Sequence, residues 1–172
     1  MATCEEAAKN ATQGIKLRLT LISVGKVPEL FAKEACAVYA ERIRRYAKLN
    51  LVVVPEERIS SRGNRKFIIH REGGRIREKI PPAVFTVAVD EKGKSLSSEA
   101  FARCLEKWSN SGLKEVAFIL GGPYGLDEAL REEADFCLCL SPMTLTHSLA
   151  RVLLLEQIYR AFTILRGEPY HK

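Results

Sequence analysis

Few places in this 172-residue chain could carry chemistry. The histidines are His70, His147 and His171, and their separations match no metal-ligand set. No serine sits in a GxSxG nucleophile turn. The run Gly121-Gly122-Pro123-Tyr124-Gly125 follows an apolar stretch, so a ligand could come close to bare backbone there; a plain tight turn explains it nearly as well. It is neither GxGxxG nor GxxxxGK with a following Ser or Thr, which removes the two commonest nucleotide loops. Two other turns share its setting: Asp90-Glu91-Lys92-Gly93 after Ala83–Val89, and Ser141 to Thr146 after Phe136–Leu140. In open α/β sheets, ligands bind beyond the carboxyl ends of strands, which makes these three turns the expected site. His147 stands where the third turn enters a helix, and His171 lies next to the C-terminus; both are site candidates, against the alternative that a terminus frays. His70, inside a basic helical stretch, reads as structural.

The element behind the third turn runs to Phe162 and is apolar around much of its circumference, so it must be buried in its own core or against a second subunit. At roughly 100° per residue, Leu154, Leu155, Ile158, Ala161, Phe162 and Leu165 share one arc, and Glu156, Gln157, Arg160 and Thr163 the opposite side. Arg151 falls inside the apolar arc. It either finds a carboxylate, a phosphate or carbonyls, or snorkels to water.

Further upstream, Lys16–Val24 alternates like a strand. Phe31, Ala35, Tyr39, Ile43 and Tyr46 recur at helical spacing, and Leu51–Val54 is a short strand stopped by Pro55. A weak basic helix over about 66–79 contains Gly73 and Gly74. Ala83–Val89 is a buried strand leading into a turn at EKGK, and Ser97 caps a helix through Trp108. Val116–Leu120 and Phe136–Leu140 are further strands, separated by a short helix from about Asp127 to Glu133. Strands that are apolar throughout and alternate with helices predict an α/β fold, its mostly parallel sheet covered on both faces.

Composition is that of an ordinary globular chain, 47% hydrophobic and 28% charged, with no apolar run near the roughly 20 residues of a membrane span. Residues 1–15 contain two glutamates and no apolar block, and read as a loose extension rather than a targeting peptide, leaving 16–172 as one domain. The five cysteines form no CxxC pair; packing is their expected role, in a reducing compartment such as the cytoplasm. Net charge is +6, and Arg58, Arg62, Arg65, Lys66, Arg71, Arg75, Arg77 and Lys79 concentrate it in one Gly- and Ser-rich segment suited to phosphate contacts.

VDEKGK at 89–94, ILGGPYG at 119–125, LSPMTLTHSLARVLLLEQIYRAF at 140–162 and GEPYHK at 167–172 together resemble the ribosomal large-subunit methyltransferase H family, of the SPOUT (α/β-knot) class of RNA methyltransferases. The resemblance runs from about Lys16 to the end. It implies five or six strands and a C-terminal segment threaded through a trefoil knot, against the general rule for chain paths. It further implies a homodimer that uses S-adenosylmethionine to methylate N3 of a pseudouridine in 23S RNA, on the large ribosomal subunit or the assembled ribosome. The implied cofactor contacts are the backbone around Val89, Gly122, Ser141, Pro142, Met143, Thr144, Leu145 and Thr146, which are the three turns singled out above.

The sulfonium methyl of that cofactor is already activated, so the protein has to align it with the nitrogen and exclude water. The N3 proton must leave; His147 and His171 are the candidate acceptors, and Arg151 a candidate holder of phosphate or of the developing anion. Arg62, Arg65, Lys66, Tyr170, His171 and Lys172 are the expected RNA contacts. Neither a metal nor a membrane is expected. Two alternatives stand beside this reading: a non-catalytic RNA- or ribosome-binding module of the same fold, and a methyltransferase of the same class acting on another nucleoside. Intact GGPYG and MTLTHSLAR motifs argue against the first.

Overall fold

The structure is a computed structural model that describes residues 17–57 and 64–171. The expected N-terminal extension, Arg58, Arg62 and Lys172 lie outside the described residues. Five strands, β1 (Arg18–Val24), β2 (Leu49–Val54), β3 (Phe85–Ser95), β4 (Glu115–Leu120) and β5 (Phe136–Cys139), form one sheet in the order β2-β1-β4-β3-β5. Every neighbouring pair is parallel. The helices are α1 (Leu30–Arg44), α2 (Arg65–Arg77), α3 (Ser98–Asn110), α4 (Glu128–Glu133) and α5 (His147–Leu165).

Alternation along the strands feeds both faces, because successive side chains point to opposite sides. Leu19, Leu21, Val87, Val116 and Phe118 meet α1, α3 and α5, with Leu105, Leu154, Ile158 and Phe162 completing that core. Ile22, Val24, Ala88 and Ile119 point the other way, onto Ile76 of α2 and Leu130 of α4. The expected parallel sheet, buried on both sides, is the fold.

α5 lies between α1 and α3. Its arc from Leu154 to Phe162 is buried as the spacing predicts, but Thr163 is buried too rather than facing water. Its hydroxyl donates to the Arg160 carbonyl at 2.7 Å, which satisfies the polar group without solvent. α1 departs further from expectation. It buries Ala32, Cys36, Ala40 and Ile43, whereas Phe31 is 61% exposed. Small residues along most of the inner face let α1 lie close to α5, with Ile43 the large side chain buried there, while Leu30, Phe31 and Val38 are left outside.

The expected turn at EKGK is instead strand. β3 continues to Ser95, pairing with β5 a second time at Lys94 and Ser95 after a register shift. Gly93 allows that crossing: a Cβ there would stand 2.6 Å from the Leu138 carbonyl carbon and 2.8 Å from the Cys139 nitrogen. Ser97 does cap α3, accepting from the Ala100 amide at 3.2 Å.

Candidate active site

The sheet order sets β4, β3 and β5 side by side, so their carboxyl ends open together. They form a cleft of about 1140 Å³. Leu120 lines it at the end of β4 and Val89 from within β3, where its first pairing with β5 stops; Gly121–Gly125 and Ser141–His147 contribute its turns, Pro142 excepted. Arg65, Lys66 and His70, from the start of α2, supply a basic rim.

Each turn has a local reason for its shape. A Cβ on Gly121 would lie 2.4 Å from the Gly125 carbonyl oxygen, so the turn can close only on glycine. The Gly125 amide donates to the Gly122 carbonyl at 3.0 Å, and Gly125 itself has φ +97°. Gly122 faces Glu72 and Val24 with its bare Cα. In the third turn the Ser141 hydroxyl accepts from the Met143 amide at 3.0 Å, and Thr146 caps α5 by accepting from the Leu149 amide at 3.3 Å. His147 is thereby the first residue of α5, in the cleft, with Nε2 3.4 Å from the Ser148 hydroxyl.

α2 is pinned to the glycine turn. Arg65 donates to the Tyr124 carbonyl at 3.0 Å, with its guanidinium 6.0 Å from the centre of that ring. Asp127 caps α4 through the Ala129 and Leu130 amides and lies 3.5 Å from His70 and 3.7 Å from Arg77. Across the cleft, Asp90 accepts from the Lys92 amide at 2.9 Å and faces Arg131 at 3.9 Å.

Arg151 does not reach water. It is 6% exposed, and its guanidinium donates to the carbonyls of Val24 and Gly25, each at 3.0 Å. Burial lowers its pKa. Of the open possibilities for this residue, carbonyls are what it finds: it ties α5 to the end of β1 and is not among the cleft-lining residues.

The tail folds back over α5 and α3. Tyr46 donates to Glu168 at 2.5 Å, and Tyr170 packs edge-on to Tyr159 with ring centres 4.7 Å apart. His171 lies 2.6 Å from Glu99 through Nε2 and 3.3 Å from Arg160 through Nδ1. Since guanidinium nitrogens only donate, Nδ1 accepts and Nε2 carries the proton toward Glu99. The Ser97 hydroxyl, the backbone and His171 hold the Glu99 carboxyl down to about 2. Burial and Glu168 push the Tyr46 phenol up to about 12.

A family model described as "Predicted SPOUT methyltransferase" matches residues 17–171. Relatives named ribosomal RNA large subunit methyltransferase H are similar along nearly the whole chain. That of Alkaliphilus oremlandii is 42% identical over 159 residues, 91% of this chain and 100% of the relative. That of Carboxydothermus hydrogenoformans is 43% identical with the same coverage. The chain belongs to the SPOUT methyltransferases, in the large-subunit methyltransferase H family. A probable methyltransferase of Bordetella pertussis Tohama I shares the fold, with a TM-score of 0.53 at 16% identity over 86% of this chain and 98% of its own.

In this methyltransferase the cleft gathers Val89, Gly122, Ser141, Met143, Thr144, Leu145, Thr146, His147, Arg65 and Lys66 from the sequence expectations. Pro142, Arg151, Tyr170 and His171 are not among its lining residues within the protomer. Sequence reasoning missed Asp127 and Glu72 as parts of the site's frame and gave His70 only a structural role. No spacing signal links them, since chain folding alone brings α2 against the 121–127 segment. No cluster of three potential metal ligands occurs among the described residues, and no helix there is long and apolar enough to cross a membrane.

Proposed function

We propose that this enzyme transfers the methyl group of S-adenosylmethionine to N3 of a pseudouridine in large-subunit ribosomal RNA, acting as a cytoplasmic homodimer. The observation that carries the reading is the convergence of the Gly121–Gly125 and Ser141–Thr146 turns and the Val89–Lys92 stretch of β3 on one cleft, with Arg65 and Lys66 at its rim. The cleft fits the cofactor: Val89, Leu120, Leu145 and Ala150 offer apolar contact, and the Gly121-Gly122 backbone offers polar groups with no side chain in the way. Bound there, the cofactor supplies a methyl group on a sulfonium that needs no further activation.

The remaining work falls to the chain. Val89, Gly122 and the Ser141–Thr146 turn hold and orient the ligand through backbone, which closes tightly at Gly121 against the Gly125 carbonyl. Arg65, Lys66 and His70 suit the phosphates of an RNA strand entering over α2. His147 is positioned to take the N3 proton, as it faces the cleft, beside the Ser148 hydroxyl and with the Glu29 carboxylate near enough to interact with its ring. Arg151 serves by holding the head of α5, and so His147, against β1.

Two structural expectations belong to the same proposal. Leu30, Phe31, Val38 and Leu149 are exposed on α1 and α5, which supports an apolar contact with a second copy. The double pairing of β3 with β5 across Gly93 supports a tightly wrapped, knotted path for the following segment. The test is calorimetric titration with S-adenosylmethionine, then mass spectrometry of RNA from ribosomes lacking the modification after incubation with enzyme and cofactor. Saturable binding and one new methyl on a pseudouridine are expected. His147→Ala should keep cofactor affinity and lose about 100-fold in transfer rate. Cofactor binding with methylation of some other nucleoside would sink the substrate assignment, and no binding would sink the enzymatic reading of the cleft.

A further inference from the structure

Glu72, in the middle of α2, is 2% exposed. One carboxyl oxygen accepts from the Glu57 amide at 3.0 Å; the other, Oε2, is buried with no hydrogen-bond partner among the described residues. That second oxygen lies directly beneath the cleft. A Cβ on Gly122 would stand 2.7 Å from it and 3.1 Å from Val24 Cγ1, while Gly122 itself lines the cleft. The next residue of α2, Gly73, is packed as tightly, since a Cβ there would lie 2.7 Å from the Cβ of Asp127. α2 therefore plugs into the underside of the Gly121–Asp127 segment at two consecutive positions.

Among the described residues no cation pairs directly with this carboxyl. Arg75, on the same helix, is committed to Glu57 and to the Pro55 carbonyl. Arg71 reaches Glu57 at 4.0 Å. Glu56 and Glu57 face Glu72 from the segment after β2, and Asp127, with His70 and Arg77 upon it, stands beside Gly73. Burial raises the carboxyl's pKa, Glu56 and Glu57 add to that, and the Glu57 amide and Arg75 oppose it. A charged oxygen sealed under Gly122 without a partner is strongly unfavourable; a neutral one is far less so.

We propose that Glu72 is the positioning residue of the Gly122 turn, seating it as a neutral carboxylic acid and giving up its proton when the turn lifts away. The proposal rests on the reading of the cleft as the S-adenosylmethionine site. A ligand that presses Gly122 down keeps the proton on Glu72, whereas a lifted turn lets water reach Oε2 and restores ordinary acidity. The sign follows. The seated state has the raised pKa, so ligand affinity is fully present below the ordinary glutamate range near pH 4.3 and falls as pH rises toward the raised value, by up to about tenfold per unit.

The experiment titrates the full-length protein with S-adenosylhomocysteine from pH 5 to pH 8, comparing wild type with Glu72→Gln, which keeps the shape and the bond to Glu57 but cannot ionise. Wild-type Kd should rise with pH relative to the variant, and the ratio of the two should change by several-fold or more across the range. Parallel profiles would overturn the proposal, because a merely structural Glu72 gives no pH-dependent ratio. A wild type that binds nothing at any pH overturns the cleft reading and this proposal with it, a failure distinguishable from parallel binding curves. Should Glu72→Gln not fold, carbon-13 NMR of the wild-type glutamate carboxyls replaces it: the Glu72 midpoint should move upward on adding S-adenosylhomocysteine, and an unmoved midpoint refutes the idea.

Discussion

Gly122→Ala is the smallest change that tests how tightly α2 supports the cleft. The added methyl would sit 2.7 Å from Glu72 Oε2, closer than real Cβ contacts come, and 3.1 Å from Val24 Cγ1. A flexible surface glutamate would swing aside at little cost. Glu72 cannot, because it is buried and its other oxygen is held by the Glu57 amide. Overpacking of this kind costs roughly 1–3 kcal/mol. For a chain of this size about 2 kcal/mol corresponds to a fall of about 4–8 °C in Tm. The assay is thermal unfolding of four proteins: wild type, Gly122→Ala, Glu72→Ala and the double variant. Removing Glu72 empties the space that the new methyl enters, so the double variant should be more stable than the sum of the single effects by about 1 kcal/mol or more. Two results would refute the reasoning: a Gly122→Ala protein melting with the wild type, or additive single effects. Either would mean that Glu72 and Gly122 do not press on each other.

Three further outcomes follow from other parts of the molecule. Gly93→Ala should be far more damaging than Gly122→Ala, since backbone atoms of Cys137, Leu138 and Cys139 surround the site and cannot rotate away; Gly74→Ala, with open space around it and a helical backbone, should raise stability by about 0.5–1 kcal/mol, both read by thermal unfolding. Arg151→Ala leaves the Val24 and Gly25 carbonyls without their donor and should cost about 3 kcal/mol in chemical denaturation, while cofactor affinity of the folded fraction stays within about threefold. In an ultraviolet titration of tyrosinate, Tyr46 should ionise near 12. Because its folded pKa lies above the ordinary value of about 10, the stability from its bond to Glu168 is complete below that value and lost as pH rises through about 12; Glu168→Gln should bring the midpoint down.

The sheet and the site's location were legible in the sequence because their signals are local. Runs such as Val116–Leu120, buried on both faces, read as parallel strands without reference to anything else, and the residues that follow Val89, Leu120 and Leu140 marked walls of the cleft. The inner face of α1 was not legible. Ala32, Cys36 and Ala40 carry little hydrophobic signal, whereas Phe31, which carries a strong one, points outward. EKGK looked like a turn because its residues are turn formers, and only the distant backbone of β5 keeps it extended. Arg151 was recognised as anomalous, yet its partners are carbonyls, which no side-chain pattern can announce. Glu72 was hidden for a related reason: in a run of basic residues it looks like a surface counter-charge, and only the packing of α2 against Gly122 shows otherwise.

The order of the sheet also sets a schedule for synthesis. β1 and β2 can pair as soon as both have emerged, but the other neighbour of β1 is β4, with Arg18 opposite Glu115, 97 residues downstream. At about 5–20 residues per second, that partner leaves the ribosome roughly 5–20 s later. The apolar face of β1 must wait longer, since α5 covers it and ends at Leu165. For that interval Leu19 and Leu21 lack their α5 cover, so the nascent chain is most prone to aggregate just before its last helix appears. Truncations short of Phe162 should therefore be poorly soluble, whatever the state of the cleft they still contain.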